Sequence, residues 1–133
     1  MPNWKLLAVV TVGGGLGSVA RFLITALVQP RAPLDFPAAT FIINVVGSYL
    51  IGLFAQMGVD TAVLSPEARF FLTTGFCGGF TTFSTFSYET LQLVEDNRYA
   101  AAALYIGASV VLAFTACVLG VASAKGVVAW RRT

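Results

Sequence analysis

Histidine is absent from the 133 residues, and with it the commonest general base, proton shuttle and zinc ligand. Charge is scarce. Eight basic and six acidic side chains make up 11% of the chain, well short of the roughly one quarter usual in soluble domains. The net charge of +2 is too small to imply a nucleic acid or another anionic partner. There are two cysteines, Cys77 and Cys117. Both fall inside apolar stretches, so they build no extracellular disulfide framework and read as free thiols packed as small hydrophobes. No stretch is left over for a soluble module, and no catalytic constellation is present, so an enzyme is not expected.

What the chain does have is apolar length, with 57% hydrophobic residues. No charge occurs between Phe36 and Val59, between Phe70 and Tyr88, or between Tyr99 and Ala124. Each block reaches or approaches the roughly 20 residues that span a bilayer core. A fourth block, Leu6 to Pro30, is broken only by Arg21. The pattern predicts an all-α membrane protein, one integral domain over 1–133, with four transmembrane helices at about 4–28, 38–58, 67–94 and 98–124. The first block is too long for a signal-peptide core and is kept in the mature chain.

The loops are short. "QPRAPLDFP" carries three prolines and must stop a helix. In "VDTAVLSPE", Ser65 suits a helix N-cap, Pro66 the first helical position and Glu67 the positive helix end. "EDN" at 95–97 makes a tight turn, and the final "RRT" reads as a frayed tail. Lys5, Arg69, Lys125, Arg131 and Arg132 fall on the side shared by both termini, against Arg31 and Arg98 on the other. Without the tail pair this bias nearly vanishes, which permits insertion both ways round.

The run "LLAVVTVGGGLGSVARFL" imitates a dinucleotide-binding fingerprint, but Ser18 occupies the third glycine position and Asp35 comes after a proline-rich loop. In lipid the glycines have a simpler role. Gly13 and Gly17 share a helix face, as do Gly75 and Gly79, and Ala116, Gly120 and Ala124, and such faces let helices approach closely. A four-helix subunit hardly encloses a water-filled route, so transport predicts an oligomer joined at these small-residue faces.

Polar groups inside spans are costly and mark candidate sites. Asn44 offers two donors and one acceptor, and its plainer role is an interhelical hydrogen bond. Arg21 lies near enough to the end of its span to act as a snorkelling anchor. "GFCGGFTTFSTFSYE" at 75–89 is a poor lipid helix, since each glycine is worth roughly 1 kcal/mol less than alanine there. A break would free backbone carbonyls near mid-membrane, and these suit a hard monovalent cation. Beyond it, Phe80, Phe83 and Phe86 recur three apart and are expected on one face. Thr82, Thr85 and Glu89 form an adjacent polar stripe, with Arg21 a further residue of a pore or vestibule. Aromatic ring edges are electropositive, so with neutral donors they hold an anion weakly. The plainer role of these phenylalanines is packing or lipid contact.

"GGGLGSVARF", "TFIINVVGSYLIG" and "GFCGGFTTFSTFSYE", in that order in a four-span chain, resemble the Fluc (CrcB) fluoride channel family over essentially the whole length. The resemblance implies an antiparallel, dual-topology homodimer in the cytoplasmic membrane. It also implies two fluoride pores along the subunit interface and a structural sodium ion held by carbonyls of the broken third helices. By motif, Gly78 and Thr81 supply those carbonyls, Phe83 and Phe86 line the pores, Asn44 matches the pore asparagine, and Arg21 matches the first-span arginine. Tyr105 and Ser109, one turn apart, extend a polar line that Ala113 does not continue. The implied function is passive fluoride export, protecting the cell when HF enters and dissociates. The alternative is a small four-span drug/proton antiporter, for which Glu89 is the one candidate carboxylate. A non-transporting scaffold subunit is a third reading.

Overall fold

The computed structural model describes residues 3–33, 35–59 and 63–133, and all of their regular structure is helical. Helix α1 spans Trp4–Val28. It starts at Asn3, whose side chain accepts from the amides of Lys5 and Leu6, two of the donors that a helix start leaves without partners. A 3-10 turn, Gln29–Arg31, ends it at Pro30. Helix α2 spans Ala38–Val59. Helix α3, Pro66–Phe70, starts as its sequence predicts, with Ser65 Oγ accepting the Ala68 amide at 3.1 Å. Next come a π-helical segment, Phe71–Cys77, and the single turn α4, Gly78–Phe80. Thr81 and Thr82 are extended, and α5 spans Phe83–Glu95. The "EDN" turn is tight: Asn97 takes a left-handed φ of 58°, and the amides of Asn97 and Arg98 return to the carbonyls of Val94 and Leu93. That pair of bonds is a Schellman closure, in which asparagine tolerates the left-handed position. Helix α6 spans Tyr99–Arg131.

Among the described residues three helices are long and apolar enough to cross a membrane: Trp4–Arg31, Ala38–Val59 and Tyr99–Arg131. The stretch expected as a broken third span at 67–94 is a series of helical pieces, none of them long enough alone to stand among these three. Helix α6 also runs past the expected end at 124, and the terminal arginines belong to its last turn and cap rather than to a frayed tail. A single lysine, Lys125, ends an apolar block without ending a helix, and no proline comes after it. At 1.5 Å per residue α6 is about 50 Å long, more than the ~30 Å hydrocarbon core needs. The outer surfaces of α1 and α6 expose leucine, valine and phenylalanine, for example Phe22 and Phe114, which is the surface a lipid solvent accepts. The expectations at Leu34 and at 60–62 lie outside the described residues.

The helices pair in two sets. Helix α1 lies along the π-helical segment and α4 with glycine against backbone. A methyl carbon at Gly13 would meet Phe71 O at 2.6 Å, one at Gly17 would meet Phe76 O at 2.2 Å, and one at Gly79 would meet Gly14 O at 2.3 Å. Lys5 and Glu67, at the head of this seam, form an ion pair of 2.9 Å. In the second set α2 lies along α6, where a methyl at Gly52 would meet Cys117 O at 2.2 Å and one at Gly120 would meet Tyr49 O at 2.1 Å. The Tyr49 hydroxyl donates to Ser123 Oγ at 3.0 Å across the same seam. The glycine spacings therefore mark close approach as expected. The expectation that these faces join subunits is corrected, because their contacts are used up between helices of one chain.

Gly17→Ala is expected to destabilise the protein by about 1–3 kcal/mol or prevent its recovery in folded form, because backbone atoms cannot move out of the way. At Gly15 nothing lies within 4 Å of the added carbon, so Gly15→Ala should be neutral or slightly stabilising. Thermal midpoints of the two variants in the same detergent check the contrast, and equal midpoints would contradict the seam.

Candidate functional site

The break between α4 and α5 is built from hydroxyl and amide side chains. The Thr81 hydroxyl and amide both donate to Cys77 O, at 2.9 and 3.0 Å, and close the preceding turn. Thr82 caps α5: its Oγ1 accepts the Thr85 amide at 3.2 Å. The side chain of Asn44, on α2, engages the Thr82 backbone twice, donating from Nδ2 to Thr82 O at 3.0 Å and accepting the Thr82 amide on Oδ1 at 2.8 Å. In a continuous helix the amides of Thr82 and Thr85 would return to the carbonyls of Gly78 and Thr81. Both amides are diverted, one to Asn44 and one to Thr82 Oγ1. The Gly79 carbonyl is taken instead by Arg21, whose Nε donates at 3.2 Å, with Ser18 Oγ at 3.5 Å.

An open groove of about 440 Å³ runs beside the break, where Asn44, Gly78, Thr81, Phe83, Phe86 and Ser109 meet. Phe83 is 79% exposed on the rim. Its ring lies 5.7 Å from that of Phe86, which in turn lies 4.9 Å from the ring of Tyr105. The Ser109 hydroxyl is buried and, among the described residues, has no hydrogen-bond partner. A buried hydroxyl without a partner costs about 1–3 kcal/mol.

On the other side of α5, a pocket of about 410 Å³ gathers Ser18, Arg21, Thr40, Thr82, Thr85 and Glu89. Glu89 is held at both oxygens. Thr40 donates to Oε1 at 2.6 Å and Tyr105 to Oε2 at 3.1 Å. Thr40 and Glu89 also border a third cavity of about 400 Å³, which opens towards Asp35, Gln92 and Arg98 at the turn end of the molecule. There Arg98 pairs with Asp35 and donates to its carbonyl.

The expected residues thus divide into two groups. Asn44, Gly78, Thr81, Phe83, Phe86 and Ser109 share the groove. Arg21, Thr82, Thr85 and Glu89 share the pocket behind it, with Thr82 lining both. Two placements differ from expectation. Phe80 does not share a face with Phe83 and Phe86: it precedes the break, is 3% exposed and stacks on Phe76, because three-residue spacing holds a face only in an unbroken helix. Tyr105 is fully buried behind Phe86 and reaches the site through its hydroxyl on Glu89, so it does not stand in line with Ser109 on the groove wall. Sequence reasoning missed Ser18 and Thr40. Each lies one helical turn from a residue that it did find, Arg21 and Asn44 respectively, and that spacing was the available signal.

A helical, multi-pass membrane protein with neutral polar side chains gathered round an interrupted segment is the class that fold and site define. The chain matches the model of the family described as CrcB-like protein, Camphor Resistance (CrcB), over residues 8–121, and it belongs to that family. Relatives include proteins named fluoride-specific ion channel FluC. One from Chlorobium luteolum is 47% identical over 116 residues, covering 87% of this chain and 89% of the relative. One from Chlorobaculum tepidum is 51% identical over 105 residues, covering 79% and 82%. One from Flavobacterium psychrophilum is 45% identical over 121 residues, covering 91% and 98%.

Asn44→Ala leaves the Thr82 amide and carbonyl without their side-chain partners. It is expected to cost about 1–3 kcal/mol, the loss of two hydrogen bonds worth about 0.5–1.5 kcal/mol each. Amide hydrogen exchange at Thr82 should rise at least tenfold over its rate in the parent protein. Unchanged exchange would show that Asn44 does not hold the break.

Proposed function

We propose that the chain is a fluoride-selective channel of the cytoplasmic membrane that exports fluoride passively. It works as an antiparallel homodimer inserted in both orientations, with two pores and a central structural sodium ion. The third membrane crossing is the interrupted stretch from Pro66 to Glu95. The names of the relatives support the ion. The observation that carries the channel reading is the open groove beside the break, where Asn44, Phe83, Phe86 and Ser109 meet.

The chemistry fits a small anion. Phenylalanine presents an electropositive edge and an electronegative face, so ions pass Phe83 and Phe86 along ring edges. Asn44 retains an N–H beyond the one given to Thr82, and the Ser109 hydroxyl is unengaged. None of these groups carries a fixed positive charge, so contacts are weak enough for the ion to leave. The groove is open to one side and rimmed by an exposed phenylalanine. Such a wall needs a facing surface, and a second copy of the same groove provides one.

Sodium fits the carbonyls that the break releases. Gly78 and Thr81 both line the groove, and the amides that would occupy their carbonyls are diverted. Carbonyl oxygen suits a hard cation. Two carbonyls from one chain are too few to replace a hydration shell, and two copies meeting at this point double the number. The ion supplies a positive charge that ties the two broken segments together. The antiporter reading finds less support, since both oxygens of Glu89 accept from neutral hydroxyls within the subunit.

Liposomes bearing the purified protein should release fluoride without proton coupling and retain chloride. Phe83→Ile, which removes the positive ring edge, should keep assembly and cut fluoride flux by about tenfold or more, equivalent to ~1.4 kcal/mol at the barrier. Exchange of organic cations driven by pH would establish the antiporter instead, and silence would favour a scaffold.

A further inference from the structure

Arg21 is an expensive residue to place in an apolar helix, and its geometry is not that of a snorkelling anchor. The side chain is half-buried, and its Nε donates to Gly79 O at 3.2 Å. The remaining guanidinium donors border the pocket of Thr82, Thr85 and Glu89. Among the described residues no carboxylate lies within 4.0 Å of it, since the ion pairs there are Lys5 with Glu67 and Arg98 with Asp35. The charge is therefore directed at a backbone carbonyl. That carbonyl belongs to the last turn before the break, and a helix C-terminus is where a cation is favoured.

We propose that Arg21 is a positioning residue for the cation site. By engaging the Gly79 carbonyl it fixes the orientation of the α4 turn, so that the neighbouring Gly78 carbonyl faces the groove. Asn44 does the corresponding work for Thr81 by fixing Thr82 from the other side. The two side chains come from different helices, α1 and α2, and bracket the four residues Gly79–Thr82. The Gly79 bond is tied to the glycine seam, because a methyl carbon at Gly17 would meet Phe80 N at 2.9 Å and one at Gly79 would meet Gly14 O at 2.3 Å. Arg21 thus acts on a peptide plane whose other contacts are already rigid. The inference rests on the sodium reading above and adds to it a role for a residue that would not touch the ion.

Positioning and simple electrostatics predict opposite signs, which makes the test decisive. Sodium is titrated against N-methylglucamine, and the fraction of dimer is read by size-exclusion chromatography with light scattering for the intact protein and for Arg21→Met and Arg21→Lys. If Arg21 positions the carbonyls, Arg21→Met raises the sodium midpoint by about tenfold, the loss of one charge-assisted hydrogen bond. Arg21→Lys, which keeps one donor, recovers part of that shift. If Arg21 acts only through its charge, removing a positive group lowers the midpoint, and that result overturns the proposal. An unchanged midpoint with a reduced thermal midpoint also overturns it, since the role would then be structural alone. If Arg21→Met gives no folded protein, Arg21→Lys and Ser18→Ala carry the same comparison, and a midpoint unshifted in both overturns it. Sodium-independent dimerisation of the parent protein sinks the sodium reading itself, and the Arg21 inference falls with it.

Discussion

A hydrocarbon solvent supplies no hydrogen bonds, so a chain that opens a helix inside it must bring its own replacements. Here the replacement is one side-chain amide. Asn44 offers a donor and an acceptor in one plane and sets both against the Thr82 peptide groups. Leucine at that position would leave two groups bare, and a carboxylate would turn lone pairs towards the Thr82 carbonyl. The rest of the site depends on this contact. It fixes where α5 starts, and so which way Phe83 and Phe86 face. One turn earlier on α2, Thr40 reaches Glu89, and Glu89 holds Tyr105, against which Phe86 packs.

The break is tolerated because the segment before it is clamped. Glycine lets α1 lie with its backbone against that of the π-helical segment and α4, at distances where any side chain would collide. The same sequence offset relates Lys5 to Glu67 and Gly13 to Gly75, so the ion pair at the head and the glycines at the centre agree on one register. The exposed ion pair adds little energy by itself. The glycine contact is the stronger constraint, because it is dense and cannot slide by one residue without a clash. A π-helical stretch in this place widens the turn and changes the phase of the residues beyond it, and within α4 the Gly79 carbonyl faces Arg21 and Ser18 of α1 while Gly78 borders the groove.

Much of this was legible in the residues. Small-residue spacing at Gly13, Gly17, Gly75 and Gly79 named the faces that touch, although not that they touch within one chain. Ser65 and Pro66 marked a helix start, and the glycines of 75–79 marked a weak helix. What spacing cannot carry is the phase after an interruption. Phe80, Phe83 and Phe86 look alike in sequence, yet the two extended residues Thr81 and Thr82 turn Phe80 into the core and Phe83 out to the rim. The point of interruption is set in part by a partner on another helix, Asn44, which no pattern within 75–89 reveals. Arg21 reads as an anchor for the same reason, since its acceptor is a carbonyl far along the chain. Tyr105 and Ser109 are one turn apart, yet Glu89 captures the tyrosine and leaves the serine on the groove.

The strained groups of the chain collect on one surface. Phe83 stands exposed, the Gly78 and Thr81 carbonyls lack their helical partners, and the Ser109 hydroxyl is buried without a bond. The bare carbonyls and the unpartnered hydroxyl are costs when taken alone, and all of them border one groove with Phe83 on its rim. Random imperfection would scatter such costs over the molecule. Their concentration is what the proposed lining requires: ring edges and neutral donors for a weakly held anion, and bare carbonyls for a cation. Opposite partial charges presented within one narrow region repel neither ion overall. A cation fixed at the carbonyls would lower the energy of an anion passing nearby without binding it directly, so in the proposed dimer the structural ion and the transported one are complementary parts of a single electrostatic arrangement.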